Sequence, residues 1–251
     1  MEQKFQLKNN NFITYKVVNN NSKKDYIIVY LHGFCGDMDG KKGAKIEEIA
    51  KENKIDLIKL NYLGHGTSSG KVSDFTMSDW FDNIKTIIDN FSNNKKMLFI
   101  GSSMGGWFSY IMALEYKERT KGVITFSTAI DFLTEVIEPN IKEENKDKEI
   151  VFEIINSDGT KNGNFITKKL WEDSKKFNLF NKDKVELNCP IRMIHGLKDT
   201  LIPYEISLKF SKKLTTDDFE LLLVKNMDHR LSLAGNLDIL EKVVKGFLGK
   251  Y

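Results

Sequence analysis

The chain has 251 residues, 41% of them hydrophobic, enough to bury a core in one large domain and to exclude disorder as its main state. Its 38 basic and 35 acidic residues leave a formal charge of +3, too balanced to argue for nucleic acid as a partner. Lys dominates the basic side chains and Asn is abundant, a composition expected of an AT-rich bacterial genome. Cys35 and Cys189 give neither a metal-ligand spacing nor a disulfide framework. Residues 1–20 carry scattered charges and no apolar run of signal-peptide length. The longest apolar runs fall far short of a membrane span. A soluble cytoplasmic protein, monomer or homodimer, is the expectation.

Along the chain, residues 5–7 and 12–18 predict an antiparallel hairpin across an Asn-rich turn. YIIVYL at 26–31 is a continuous apolar run, as expected of a strand buried on both faces. A helical pattern follows at 42–53 and a strand at 55–60. Residues 78–91 predict a helix capped by Ser78, with Trp80, Phe81, Ile84, Ile87, Ile88 and Phe91 on one face. A strand at 97–100 runs into Gly101, with a helix at 104–116 and a strand at 123–126. The rhythm then breaks. Residues 131–188 hold a charged stretch, an apolar run at 150–155, a turn-rich segment at 156–164 and a helical piece around Trp171. Strand, helix, strand and helix resume at 191–195, 204–214, 219–224 and 237–248. Alternating strands and helices predict a doubly wound, mostly parallel sheet in a single α/β domain over 1–251, with residues 131–188 as a lid inserted over one end.

Gly101-Ser102-Ser103-Met104-Gly105 matches G-x-S-x-G. Three fixed residues at ~7% usage recur by chance in about one chain in ten of this length, so the pattern alone is weak. Its context is stronger: a strand ends at Gly101 and a helix starts at Met104, the strand–turn–helix that lifts a nucleophilic serine above a sheet. Ser102 is a second hydroxyl but lies off the motif's register. In such elbows the chain order is serine, acid, histidine. That order excludes His32 and His65 as base. His229, in a loop after the last strand, is the expected base, and His195 a structural residue at a strand end. Asp199, just past the 191–195 strand, is the expected acid; Asp131 is its rival and Asp228 a weaker one. The oxyanion hole is expected from the backbone N–H groups of Met104 and Phe34, with Gly33 admitting substrate close to the backbone. Such an acyl transfer requires no cofactor or metal.

Five segments carry a resemblance: LHGFCGDMDG at 31–40, GSSMGGW at 101–107, NCPIRMI at 188–194, HGLKDTLIP at 195–203 and DHR at 228–230. The whole chain resembles the α/β-hydrolases, and these segments are similar to the group of mitochondrial acyl-protein thioesterases and acyl-glucuronide esterases. The resemblance implies the same triad at Ser103, Asp199 and His229, an oxyanion hole at Phe34 and Met104, and a small lid. It also implies hydrolysis of acyl thioesters or activated esters, the substrate being a small molecule or an acylated protein. Within the lid, Phe152 and Trp171 are the expected acyl-binding side chains. A peptidase, a carbon–carbon bond hydrolase and a hydrolase-like ligand receptor are the alternatives.

Overall fold

The computed structural model describes residues 1–8, 10–155, 161–231 and 235–251. Eight strands form the main sheet: β1 (Gln3–Gln6), β2 (Phe12–Val18), β3 (Tyr26–Leu31), β4 (Leu57–Asn61), β5 (Lys96–Ser102), β6 (Thr120–Phe126), β9 (Ile191–Gly196) and β10 (Phe219–Val224). Their order across the sheet is β1-β2-β4-β3-β5-β6-β9-β10. β2 is antiparallel to both neighbours, and every other pair is parallel.

The side-chain period of two explains the continuous apolar run of β3. Ile27, Val29 and Leu31 enter the core on one face, and Tyr26, Ile28 and Tyr30 the core on the other. The first core is covered by α2 (Met77–Phe91), α3 (Met104–Glu115) and α5 (Glu205–Ser211). The second is covered by α1 (Lys41–Glu52) and α6 (Asn236–Lys250). From β3 the chain passes to β4 on one side, and β5 lies on the other. This reversal is the point at which loops leaving the strands' carboxyl ends diverge and a crevice opens.

The expected elements are present with shifted ends. Thr76, not Ser78, caps α2: its hydroxyl accepts from the Asp79 amide while the Asp79 carboxylate accepts from the Thr76 amide at 2.8 Å. Ser78 instead donates its amide (2.7 Å) and hydroxyl (2.9 Å) to Asp173, which ties the inserted segment to the start of α2. α5 ends at Ser211 rather than near 214 because Leu214 bridges to Val185.

Between β6 and β9 the chain forms a π-helical turn at Leu133–Ile137, a two-stranded antiparallel sheet of β7 (Ile150–Ile155) and β8 (Lys161–Thr167), and α4 (Lys168–Ser174). Of the turn-rich stretch expected at 156–164, residues 156–160 lie outside the described residues, and from Lys161 the chain is strand. Among the described residues no helix is long and apolar enough to cross a membrane.

Candidate active site

Ser103 sits between β5 and α3 with φ 56° and ψ −124°, a backbone conformation that non-glycine residues adopt at a cost. The surrounding structure holds it there. Its amide donates to Phe126 O (3.0 Å), and its carbonyl accepts from the amides of Gly106 and Ala129 at 2.9 and 3.1 Å. The turn tolerates only glycine at its two ends. A Cβ on Gly101 would lie 2.2 Å from Gly105 O, and one on Gly105 would lie 2.1 Å from Leu31 O. The hydroxyl is thereby raised into the crevice while Ser102 is buried in the strand.

His229 lies in the loop after β10. Its Nε2 is 2.9 Å from Ser103 Oγ and its Nδ1 is 2.8 Å from Asp199 Oδ2. Asp199, three residues past β9, has a fully buried carboxylate. Oδ1 accepts from the amides of Leu201 (3.1 Å) and Ile202 (2.9 Å), which leaves Oδ2 to the imidazoles. Burial alone would raise its pKa. Hydrogen bonds from His195 and His229, the His229 charge and the Ile202 amide outweigh burial and hold the carboxyl well below its ordinary range. The structure thus brings Ser103, His229 and Asp199 into one hydrogen-bonded line.

His195 contributes more than the structural strand end expected of it. It is fully buried, and its Nε2 lies 3.1 Å from Asp199 Oδ2 and 3.0 Å from Ile202 O. Both partners are acceptors, so Nε2 carries the proton, and the Ser207 hydroxyl then donates to Nδ1 at 2.7 Å. His195 therefore steadies the carboxylate that His229 uses. The one sequence signal for this contact is the four-residue spacing from His195 to Asp199.

The rival acid lies elsewhere. Asp131, fully buried, turns its carboxylate to the amides of Leu179 (3.0 and 2.8 Å) and Phe180 (2.7 Å), where the inserted segment returns. Burial raises it to about 6 despite these donors. His32 and His65 form a buried aromatic cluster with Tyr62, apart from the serine line. Burial pulls His32 down to about 4; burial and the neighbouring His32 pull His65 down to about 3.

The loop after β3 packs directly on the serine: a Cβ on Gly33 would meet Ser103 Cβ at 3.0 Å. Gly33 O closes the turn by accepting from Gly36 N at 3.0 Å. Asn61 Oδ1 accepts from Met38 N at 2.7 Å, and the buried Lys59 ammonium holds Asp39 at 2.8 Å, which anchors the same loop from β4. Met104 opens α3, so its amide is among those without an intrahelical acceptor.

Ser103, His229, Gly33 and Phe34 line a cavity of about 610 Å³. Phe132, Val136, Ile137 and Ile154 give it an apolar wall from the inserted segment, and Lys41, Lys42 and Arg230 also line it. Neither Phe152 nor Trp171, the expected acyl contacts, lines the cavity. Trp171 is buried within the segment and donates its Nε1 to Glu138 at 3.1 Å. Trp171 and most of the segment's other apolar side chains instead join the core beneath it. Among the described residues no group of three His, Cys, Asp or Glu side chains is arranged to hold a metal ion.

A doubly wound sheet with this strand order, crossed at its switch point by an elbow serine, defines an α/β-hydrolase, and the protein is a hydrolytic enzyme. Residues 22–151 match the family described as serine aminopeptidase, S33, and the chain belongs to that family. The mitochondrial palmitoyl-protein thioesterase ABHD10 of Mus musculus is 26% identical over 224 residues, covering 89% of this chain and 75% of that protein. The human protein of the same name is also 26% identical, over 225 residues, with 89% and 73% covered. The structure of mouse α/β-hydrolase domain-containing protein 10 superposes with a TM-score of 0.86 at 23% identity, covering 100% of this chain and 99% of that one. Est1E from Butyrivibrio proteoclasticus, solved with ferulic acid bound, shares the fold with a TM-score of 0.79 at 20% identity, over 100% and 98% of the two chains.

Proposed function

We propose that the protein is a serine hydrolase that cleaves acyl thioesters or carboxylic esters through an acyl-enzyme on Ser103. The observation that carries this reading is the unbroken Asp199–His229–Ser103 line at a cavity with an apolar wall. His229 Nε2 takes the Ser103 proton as the hydroxyl attacks the acyl carbon. Asp199 Oδ2 accepts the Nδ1 proton, fixes the tautomer and stabilises the imidazolium. The amides of Phe34 and Met104 receive the oxyanion, and α3 adds the partial positive charge of its N-terminus. Protonated His229 then gives its proton to the leaving thiol or alcohol. Water, deprotonated by the same nitrogen, releases the acid and restores the serine. The steps call for no cofactor.

Residues 131–188 act as the lid, with Phe132, Val136, Ile137 and Ile154 as the acyl wall and Gly33 as the close backbone contact. A cavity of about 610 Å³ falls within the size of small-ligand sites. Acylated small molecules and acylated protein share this chemistry, and the name of the mouse and human relatives, palmitoyl-protein thioesterase, supports including the second. The family's name raises aminopeptidase activity as another reading. A free amino terminus needs a carboxylate to hold it, and the cavity offers Asp37 against Lys41, Lys42 and Arg230, which favours the ester reading.

The deciding experiment compares turnover of acyl thioesters, oxygen esters and aminoacyl amides by the wild type and by Ser103→Ala. Thioester or ester hydrolysis that disappears with the serine is the expected result. Turnover confined to amides, or activity that survives Ser103→Ala, would contradict the proposal.

A further inference from the structure

Among the described residues β10 ends the main sheet, and its one strand neighbour is β9, parallel, with Phe219 opposite Ile191 and Val224 opposite Gly196. The carbonyls of Asp218 and Val224 accept from the amides of Ile191 and Leu197. A strand residue turns its N–H and C=O to the same side, and alternate residues face opposite sides. The carbonyl of Asp218 and the backbone groups of Glu220, Leu222 and Val224 are therefore spent on β9. The N–H and C=O groups of Phe219, Leu221 and Leu223 face outward, beyond the last strand.

Natural sheets blunt such an edge with charges, proline or a bulge. This one carries a single charge, Glu220, and no proline. Leu222 and Leu223 are 43% and 36% exposed on it. Three of the six large apolar side chains exposed among the described residues lie on β10 or beside it, the third being Leu197, just past β9, whose amide donates to Val224 O. Side chains on both faces of the strand take part. Leu221 packs on the core under α5, whereas Val224 packs on the core under α6.

We propose that this edge pairs with the same edge of a second copy of the chain, in antiparallel register about a twofold axis through Leu222. The occupant follows from self-complementarity. A twofold axis normal to the sheet can bring outward-facing backbone groups only against outward-facing groups. The register centred on Leu222 sets Leu221 against Leu223 of the second copy, Leu222 against its own equivalent, and Glu220 against Val224. Every leucine then meets a leucine, and each Leu221–Leu223 pair exchanges two backbone hydrogen bonds. Centring the axis on Leu221 would set Leu222 against Glu220 and Leu223 against Phe219, and centring it on Leu223 would set Leu221 against Lys225 and Leu222 against Val224, so neither matches all three leucines with leucines. The pairing is closed, isologous and limited to two copies. Because the strands run antiparallel, the two cavities open toward opposite ends of the joined sheet, and neither is covered.

Sedimentation velocity on the full chain across a concentration series should show a dimer. Leu222→Lys places two ammonium groups opposite each other and should weaken it by at least about tenfold in Kd. Leu222 is exposed, so the substitution leaves the core untouched. Register is tested by cysteine cross-linking in a Cys35→Ser background. A non-hydrogen-bonded antiparallel pair brings its Cα atoms to about 4.5 Å, within disulfide reach. Leu222→Cys should form a disulfide-linked dimer under mild oxidation, and Glu220→Cys, which faces Val224, should not. A chain that stays monomeric at all concentrations overturns the proposal. So does a dimer indifferent to Leu222→Lys, or equal cross-linking at 220 and 222.

Discussion

Asp131 and Asp199 stand just past the carboxyl ends of two neighbouring strands, β6 and β9, and both carboxylates are buried and accept two backbone amides. They differ in how the amides are spent. Asp131 gives both oxygens to Leu179 and Phe180. Asp199 receives both amides on Oδ1 and keeps Oδ2 for His195 and His229. Their pKa values part accordingly, Asp131 rising to about 6 and Asp199 falling below its ordinary range. Burial at a strand end does not make a carboxylate an acid partner for a base; an oxygen left open to an imidazole does. Asp131 fastens the inserted segment, and Asp199 holds the imidazoles of His195 and His229.

Exchanging each carboxylate for an amide breaks this comparison most sharply. Asp199→Asn should cost on the order of 10⁴-fold in kcat, since the amide can present an N–H to His229 and favour the wrong tautomer. Asp131→Asn should leave kcat within about tenfold and lower the unfolding free energy by about 1–3 kcal/mol, because one of two buried amides loses its acceptor. Steady-state kinetics and urea unfolding on the two variants separate the roles, and the reverse ranking would move the acid to Asp131.

A smaller effect is expected behind Asp199. His195→Phe removes the Nε2 donor and should lower kcat by about tenfold with KM nearly unchanged, on the scale of one lost charge-assisted hydrogen bond. His195→Gln, which can restore a donor, should recover part of it. A change confined to thermal stability, with kcat intact, would make His195 scaffold alone.

The cavity wall sharpens the comparison from the inserted side. Ile154→Ala should reduce kcat/KM for long acyl chains by several-fold per contacting methylene, at about 0.8 kcal/mol each, and spare an acetyl ester. Trp171→Phe, which lies off the cavity, should shift all chain lengths alike. A chain-length series from acetyl to palmitoyl on both variants reads this directly.

Acidification acts on stability rather than on rate. His32 and His65 titrate near 4 and 3 when folded but near 6.5 when unfolded, so the unfolded chain takes up their protons first. Neither Nε2 has a hydrogen-bond partner among the described residues to stabilise a proton. Stability should therefore fall as pH drops from about 6.5 toward 4, by up to about 1.4 kcal/mol per unit for each histidine. Asp131 has the opposite sign: its folded pKa lies above its unfolded one, and it offsets about one of the two protons between pH 6 and 4. Urea midpoints at pH 7 and 5 test the sum, and equal midpoints would contradict it.

The parts legible in sequence are those where one local rule had no competitor. YIIVYL could be only a strand buried on both faces, and G-S-S-M-G between an apolar strand and a helix placed the elbow. The order serine, acid, histidine pointed to His229 rather than His32 or His65, and it is the His229 imidazole that lies against Ser103 Oγ. The role of His195 was hidden because a strand-end histidine four residues before an aspartate has the same pattern whether or not the loop curls back. The cavity wall was hidden for another reason. Phe152, Ile154 and Trp171 are equally apolar, and which of them faces the cavity and which packs the segment down depends on how the β7–β8 hairpin seats on the core. Even the α2 cap moved from Ser78 to Thr76, because Asp79 completes a reciprocal pair with Thr76 and Asp173 claims Ser78.

The proposed chemistry stands on Ser103 as the nucleophile. A fluorophosphonate probe, followed by digestion and mass mapping, reads it most directly. One adduct is expected, on Ser103, abolished by Ser103→Ala and by preincubation with a long-chain acyl thioester, and retained in Ser102→Ala. An adduct on Ser102, or labelling that persists in Ser103→Ala, would contradict it.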